Sequence, residues 1–135
     1  MPFIDWTEQL STKVKTFDDQ HKKLFGLVND LHDNMAQGKG KDVMEKTLAW
    51  LVNYTKTHFA SEEEMMTRHK YLGYLSHKAE HDELTRQAAD LLKKLQAGEP
   101  VMSVQVMRFL KDWLEQHIMK VDKQYGPFLN AKGVA

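Results

Sequence analysis

Four segments with an apolar residue every three or four positions constrain this chain more than any other feature. They are separated by compact breaks: "QGKGK" at 37–41, "HKYLGY" at 69–74, "QAGEP" at 96–100 and "YGP" at 125–127. That periodicity with those breakers predicts helices over about 17–36, 42–67, 75–95 and 103–121. Each carries one apolar stripe: Leu24, Val28, Leu31 and Met35; then Met44, Leu51 and Met65; then Leu84, Ala88, Leu91 and Leu95; then Val106, Leu110, Trp113, Leu114 and Val121. Thr16 and Asp19 have the spacing of a capping box, Ser103 suits the start of the fourth helix, and Gly98 and Pro100 end the third. Four amphipathic helices with short connections predict an all-α, antiparallel up-down-up-down four-helix bundle. The first sixteen residues read as an extended arm whose Phe3, Ile4 and Trp6 pack on the bundle, and a short C-terminal segment follows the fourth helix. Residues 1–135 are expected to form one domain.

Composition narrows the function classes. Nineteen basic residues balance nineteen acidic ones, so no overall field draws the chain to nucleic acid or an anionic membrane. The absence of cysteine excludes disulfides, thiolate ligands and iron–sulfur clusters. The opening "MPFIDWTEQL" lacks the basic and apolar regions of a signal peptide, and no apolar run approaches the ~18 residues of a membrane span. A cytoplasmic location is the expectation.

The histidines lie in phase with the stripes. Residues three, four and seven apart share a helix face. His21 therefore leads into Leu24 and Val28, His58 and Glu62 share a face with Leu51 and Met65, His77 and His81 precede Leu84 and Ala88, and His117 sits with Leu110 and Val121. Depth agrees with phase. His21 and the His77/His81 pair fall near helix starts, and the His58/Glu62 pair and His117 near helix ends. In an antiparallel bundle all of these lie at the same end. A lone inward histidine is an ordinary core residue. Five imidazoles in one apolar pocket cannot satisfy one another, because they have few acceptors and cannot all be charged. A metal supplies what they lack.

Five histidines and a glutamate exceed the four donors of a tetrahedral zinc site and suit two metals bridged by carboxylate. Iron, manganese, zinc and copper all fit imidazole with carboxylate. The candidate for a second bridging carboxylate is Asp122, although five residues past His117 it stands about 140° around a regular helix. The helix must unwind or bulge there.

The motifs "DDQH" ending at His21, "HFASEEEM" with His58 and Glu62, "HKAEH" with His77 and His81, and "HIMKVD" with His117 and Asp122 resemble those of the hemerythrin family, specifically its stand-alone bacterial members. Trp6 also matches, and the resemblance spans roughly residues 6–128. It implies a non-haem di-iron centre with an oxo or hydroxo bridge. Glu62 and Asp122 would bridge the irons, His77, His81 and His117 would complete a six-coordinate iron, and His21 and His58 would hold the other with one position open for dioxygen. Trp113, Leu114 and Ile118 match the apolar lining of the oxygen pocket.

The resemblance implies reversible dioxygen binding, for storage or for delivery to an oxygen-consuming enzyme, by a monomer that is not itself an enzyme beyond weak oxidase or peroxidase side activity. The competing readings are a di-iron enzyme (oxidase, peroxidase, or nitric-oxide or iron-centre repair) and an oxygen sensor acting through a partner. His32, ~16 Å further along the axis than His21, is expected at a boundary, and His69 lies in the loop after the second helix. Glu63 and Glu64 read as solvated charges. Asp18 and Gln20 read as capping the first helix or orienting the site.

Overall fold

A computed structural model describes residues 3–99 and 104–135, and the expected roles of Ser103 and Pro100 lie outside them. A short 3₁₀ turn, Glu8–Leu10, precedes α1 (Lys15–Ala36), α2 (Lys41–Arg68), α3 (Tyr74–Gln96) and α4 (Val104–His117). A π-helical stretch, Ile118–Asp122, then joins α4 to α5 (Lys123–Ala131). The architecture is an all-α four-helix bundle. Among the described residues no helix is long and apolar enough to cross a membrane.

The connections follow from backbone chemistry. After α1 the chain turns at Gly38, φ +68°, whose N–H donates to Met35 at 3.1 Å while Lys39 N–H reaches Asn34 at 3.0 Å. After α3 Gly98, φ +87°, repeats the device with Leu95, and Glu99 N–H reaches Lys94. Glycine enters this left-handed region without a Cβ penalty, and the turn satisfies carbonyls that the helix end leaves open.

The start of α1 differs from the expected capping box. Its cap residue is Val14, which makes no side-chain capping bond, and Asp19 forms an exposed pair with Lys15. The buried Asp18 organises the entry instead. It accepts hydrogen bonds from Ser11 Oγ (2.6 Å), Thr12 N–H (2.8 Å) and Thr12 Oγ1 (2.9 Å). A carboxylate holding three donors of the preceding segment fixes where the arm enters the bundle.

The arm packs as expected. Ile4 is buried and its backbone is clamped by Asn29, which accepts from Ile4 N–H at 2.8 Å and donates to Ile4 carbonyl at 2.9 Å. Phe3 stacks on His32 at 4.2 Å, and Lys22 lies over the Trp6 ring. His32 thus serves the arm.

"YGP" at 125–127 is not a break. Pro127 sits inside α5, and Tyr125, Gly126 and Leu129 are buried. Gly126 is where the arm crosses α5, since a Cβ there would lie 2.1 Å from the Thr12 carbonyl oxygen.

The core falls into two apolar clusters. The larger includes Leu24, Val28 and Leu31 of α1, Leu48, Leu51 and Val52 of α2, Ala88 and Leu95 of α3, Leu110 and Leu114 of α4, and Ile118 of the π stretch. The smaller contains Val14, Phe17, Met66, Tyr125 and Leu129. His21 lies between Phe17 and Leu24, Glu62 between Val52 and Met66, and Asp122 between Ile118 and Tyr125. A polar layer is therefore sealed between two dry ones.

The crossing at Gly126 yields a test. Gly126→Ala puts a methyl against rigid backbone, and overpacking of this kind costs about 1–3 kcal/mol. Urea denaturation should show a lower midpoint with an unchanged slope, whereas Gly133→Ala, with open space around it despite its positive φ, should cost less.

Candidate metal centre

Each helix contributes to the polar layer in register with its core stripe. His21, His58, Glu62, His77, His81, His117 and Asp122 are all buried, with no more than 3% of any residue exposed. Their inward atoms form two groups. Glu62, His77, His81, His117 and Asp122 make one, and His21, His58, Glu62 and Asp122 the other; within each the donor atoms lie within 4.8 Å of one another. The two carboxylates belong to both groups.

Asp122 spans the layer. Its Oδ1 lies 2.8 Å from His77 Nε2 and 3.0 Å from His117 Nε2, while its Oδ2 lies 3.0 Å from His21 Nε2. Glu62 Oε1 lies 3.3 Å from His58 Nε2 and 3.2 Å from His81 Nε2, and its Oε2 lies 3.6 Å from His21 Nε2. The π stretch makes this possible. In it each turn closes by i→i+5 bonds, so a residue five along stands nearly above its partner. His117 and Asp122 are five apart, and Ile118–Asp122 is the π segment.

The close approaches lack hydrogen-bond geometry. The Nε2 atoms of all five histidines, both Asp122 oxygens and Glu62 Oε1 are buried without a hydrogen-bond partner. A buried polar group left unsatisfied costs about 1–3 kcal/mol, so a cluster of them needs something to hold. The spacing suits a metal ion. An ion held at about 2.0–2.2 Å places donors at right angles about 3 Å apart. The observed contacts fit that spacing, and imidazole with carboxylate is a transition-metal donor set.

Three of the outer nitrogens are occupied. His58 Nδ1 donates to Gln20 Oε1 at 2.5 Å, His81 Nδ1 to Glu63 at 2.9 Å and His117 Nδ1 to Glu80 at 2.6 Å. Fixing the proton on Nδ1 leaves the Nε2 lone pair free and aimed inward. Aromatic faces hold the rings. Phe59 stacks on His81 at 3.8 Å, Tyr125 lies parallel to His77 at 5.7 Å, and Phe17 meets His58 edge-on.

Three of these partners escape the sequence pattern. Glu63 bonds His81 rather than standing as a free solvated charge, Glu80 reaches His117 from another helix, and the buried Tyr125 hydroxyl donates to Glu62 Oε2. "EEE" does place Glu63 beside a ligand, but nothing in spacing reveals the bonds between helices. Gln20 orients the site and Asp18 the arm, which settles the two roles left open. His69 is the C-cap of α2 and His32 packs on the arm, so neither joins the cluster. Leu114 and Ile118 are buried in the larger core cluster, and Trp113 packs against it.

Without a cation the charges compensate one another. Burial lowers the His21 imidazole, but the Asp122 and Glu62 carboxylates outweigh it and raise it to about 9. Burial likewise opposes a charged His117, which Asp122 and Glu80 nonetheless raise to about 10. His58, penalised chiefly by burial, falls to about 4. Burial favours a neutral Asp122, yet His117, His21 and His77 hold it well below the usual carboxylate range. Burial and the Glu62 charge keep Tyr125 protonated, as a donor.

The sequence pattern of the Hemerythrin HHE cation binding domain matches residues 12–129. The chain belongs to the hemerythrin family. It is 46% identical to a bacteriohemerythrin of Methylococcus capsulatus over 97% of this chain and 100% of that one. It is 32% identical to a myohemerythrin of Sipunculus nudus, over 92% and 91% of the two chains. A crystal structure of wild-type hemerythrin superposes with a TM-score of 0.88 at 45% identity, over 93% of this chain and 96% of that one. The hemerythrin family holds a non-haem di-iron centre, and its bacteriohemerythrin and myohemerythrin members are oxygen-binding proteins rather than enzymes.

Two outcomes follow. A metal ion at a free concentration about 1,000 times its Kd should stabilise the fold by about 4 kcal/mol, seen as a raised denaturation midpoint that a chelator reverses. Because His21 and His117 hold protons that a cation must displace, apparent metal affinity should weaken from pH 8 to pH 6, a trend that calorimetry or a competing chromophoric chelator would follow.

Proposed function

We propose that this protein binds dioxygen reversibly at a di-iron centre held by His21, His58, Glu62, His77, His81, His117 and Asp122, and that it stores oxygen or delivers it to an oxygen-consuming enzyme. The observation that carries the reading is the pair of unequal donor groups sharing Glu62 and Asp122. Three imidazoles and two carboxylates offer one ion five donors; two imidazoles and the same carboxylates offer the other four. A bridging oxo or hydroxo group would raise these to six and five, leaving one place for a small ligand at the two-histidine ion.

The iron pair, when bound, supplies reversible electron exchange with dioxygen. The chain's residues supply the restraint that carriage requires. Tyr125 donates to Glu62 and holds that carboxylate in place. Gln20, Glu63 and Glu80 fix the imidazole tautomers. Leu114, Ile118 and Trp113 form a dry wall beside His117 and keep water and reductants out. Five neutral imidazoles stand where the four-glutamate di-iron bundles carry mostly anions, so the inner set favours high-valent iron less and binding over oxidation. We place the protein in the cytoplasm, as a single-domain monomer.

Iron analysis followed by optical spectra under alternating oxygen and argon tests the reading. Two irons per chain, with charge-transfer bands that appear and fade through repeated cycles, are expected. Purified protein that retains no transition metal and takes none up, bands that bleach once without return, or steady oxygen consumption with a reductant would overturn it. His58→Ala should retain less than two irons per chain and lose the reversible bands.

A further inference from the structure

The atoms behind the imidazoles differ between the two halves of the centre. In the three-histidine half, His81 and His117 each donate Nδ1–H to a carboxylate, Glu63 at 2.9 Å and Glu80 at 2.6 Å. In the two-histidine half, His58 donates to the neutral amide of Gln20, and His21 Nδ1 is buried with no hydrogen-bond partner. The Gln20 orientation is fixed by its own amide N–H, which points at Ser61 Oγ.

Solvent reaches both carboxylates. Glu63 and Glu80 are 20% and 40% exposed. Each lines a cleft open to water: one of about 260 Å³ reaches Glu63 and His81, and one of about 270 Å³ reaches Glu80 and His77. Water reaches each carboxylate on its outer side, while its inner oxygen accepts from an imidazole. A carboxylate behind a ligating imidazole raises that ligand's basicity, and removing such a partner typically costs ten- to a hundredfold in metal affinity. A neutral amide gives orientation with much less charge.

Resting on the di-iron reading above, we propose that Glu63 and Glu80 are positioning residues that make the three-histidine half the stronger donor set, so that it fills first and holds its ion when the other half is vacant. The amide-backed half is correspondingly the weaker and more exchangeable one. The order of filling is built into the chain by three outer residues that touch no ion.

Stepwise titration of metal-free protein with Co²⁺, followed by d–d absorption and calorimetry, tests this. Wild-type protein should bind two equivalents in two steps at least tenfold apart. Glu63→Gln/Glu80→Gln keeps both side chains' size and hydrogen-bonding ability and should weaken the first step ten- to a hundredfold, drawing the two steps together. Gln20→Glu should strengthen the second step, and Glu80→Asp should recover part of the loss seen in Glu80→Gln. Circular dichroism of each variant at wild-type helicity shows that the change is local. Two equivalents bound in one unresolved step, or a first step unmoved in the double variant, would overturn the proposal while leaving the di-iron reading intact. Failure to bind Co²⁺ at all would overturn both.

Discussion

The fold depends on holding two carboxylates and five imidazoles inside an apolar bundle. Neither group would enter such a place alone. A buried carboxylate needs a cation or several donors, and a buried neutral imidazole needs a partner for each nitrogen. The solution has two shells. Outward nitrogens of His58, His81 and His117 are satisfied by protein, and inward ones of all five histidines are left without partners, facing one another and the carboxylates. Such an arrangement is costly as a core and well formed as a metal cradle.

The rest of the chain reads as support for that layer. The larger apolar cluster closes it from one side and the smaller one, with Phe17, Met66 and Tyr125, from the other. The arm helps by crossing α5 at Gly126 and by being pinned through Ser11 and Thr12 to Asp18, three residues before His21. Tyr125 belongs to both worlds: its ring packs with Phe17 and lies parallel to His77, and its hydroxyl holds Glu62. Loss of packing at the arm would therefore reach the metal layer through Asp18 and Tyr125, although no arm residue belongs to either donor group.

How much of this was legible in the sequence depended on what each feature obeys. Helix periodicity placed His21, His58, Glu62, His77, His81 and His117 on inward faces because burial and spacing follow the same 3.6-residue rule. Antiparallel packing put them at one depth. Asp122 broke the rule, and that violation itself pointed to the π stretch, since only a local change of winding lets residues five apart meet. Glu80, Glu63 and Tyr125 were not legible as partners. Their contacts run between helices, and side-chain reach across a helix pair leaves no period in the chain. The entry to α1 was misread for a related reason: Thr16 and Asp19 have the local spacing of a cap, but Asp18 is engaged by the arm, a tertiary contact that local spacing does not encode. "YGP" misled because Pro127 removes only one helical bond, and packing of Tyr125 and Leu129 keeps α5 going past it.

The distribution of charge ties the layer to its chemistry. Di-iron bundles built on four glutamates put most of their negative charge directly on the metals. Here the inner set keeps two carboxylates, both shared, and two more stand one imidazole away as Glu63 and Glu80. Charge at that remove still strengthens a donor, but it is partly solvated and acts through a neutral ring. On the proposed reading the centre would be anchored firmly on the three-histidine side without the strong anionic field that would favour irreversible oxidation. The two-histidine side, where the proposed reading leaves room for a small ligand, has only an amide behind His58. On the proposed reading, tight holding and light touch would fall to opposite halves of one site, which is what a protein that must release what it binds would require of its ligands.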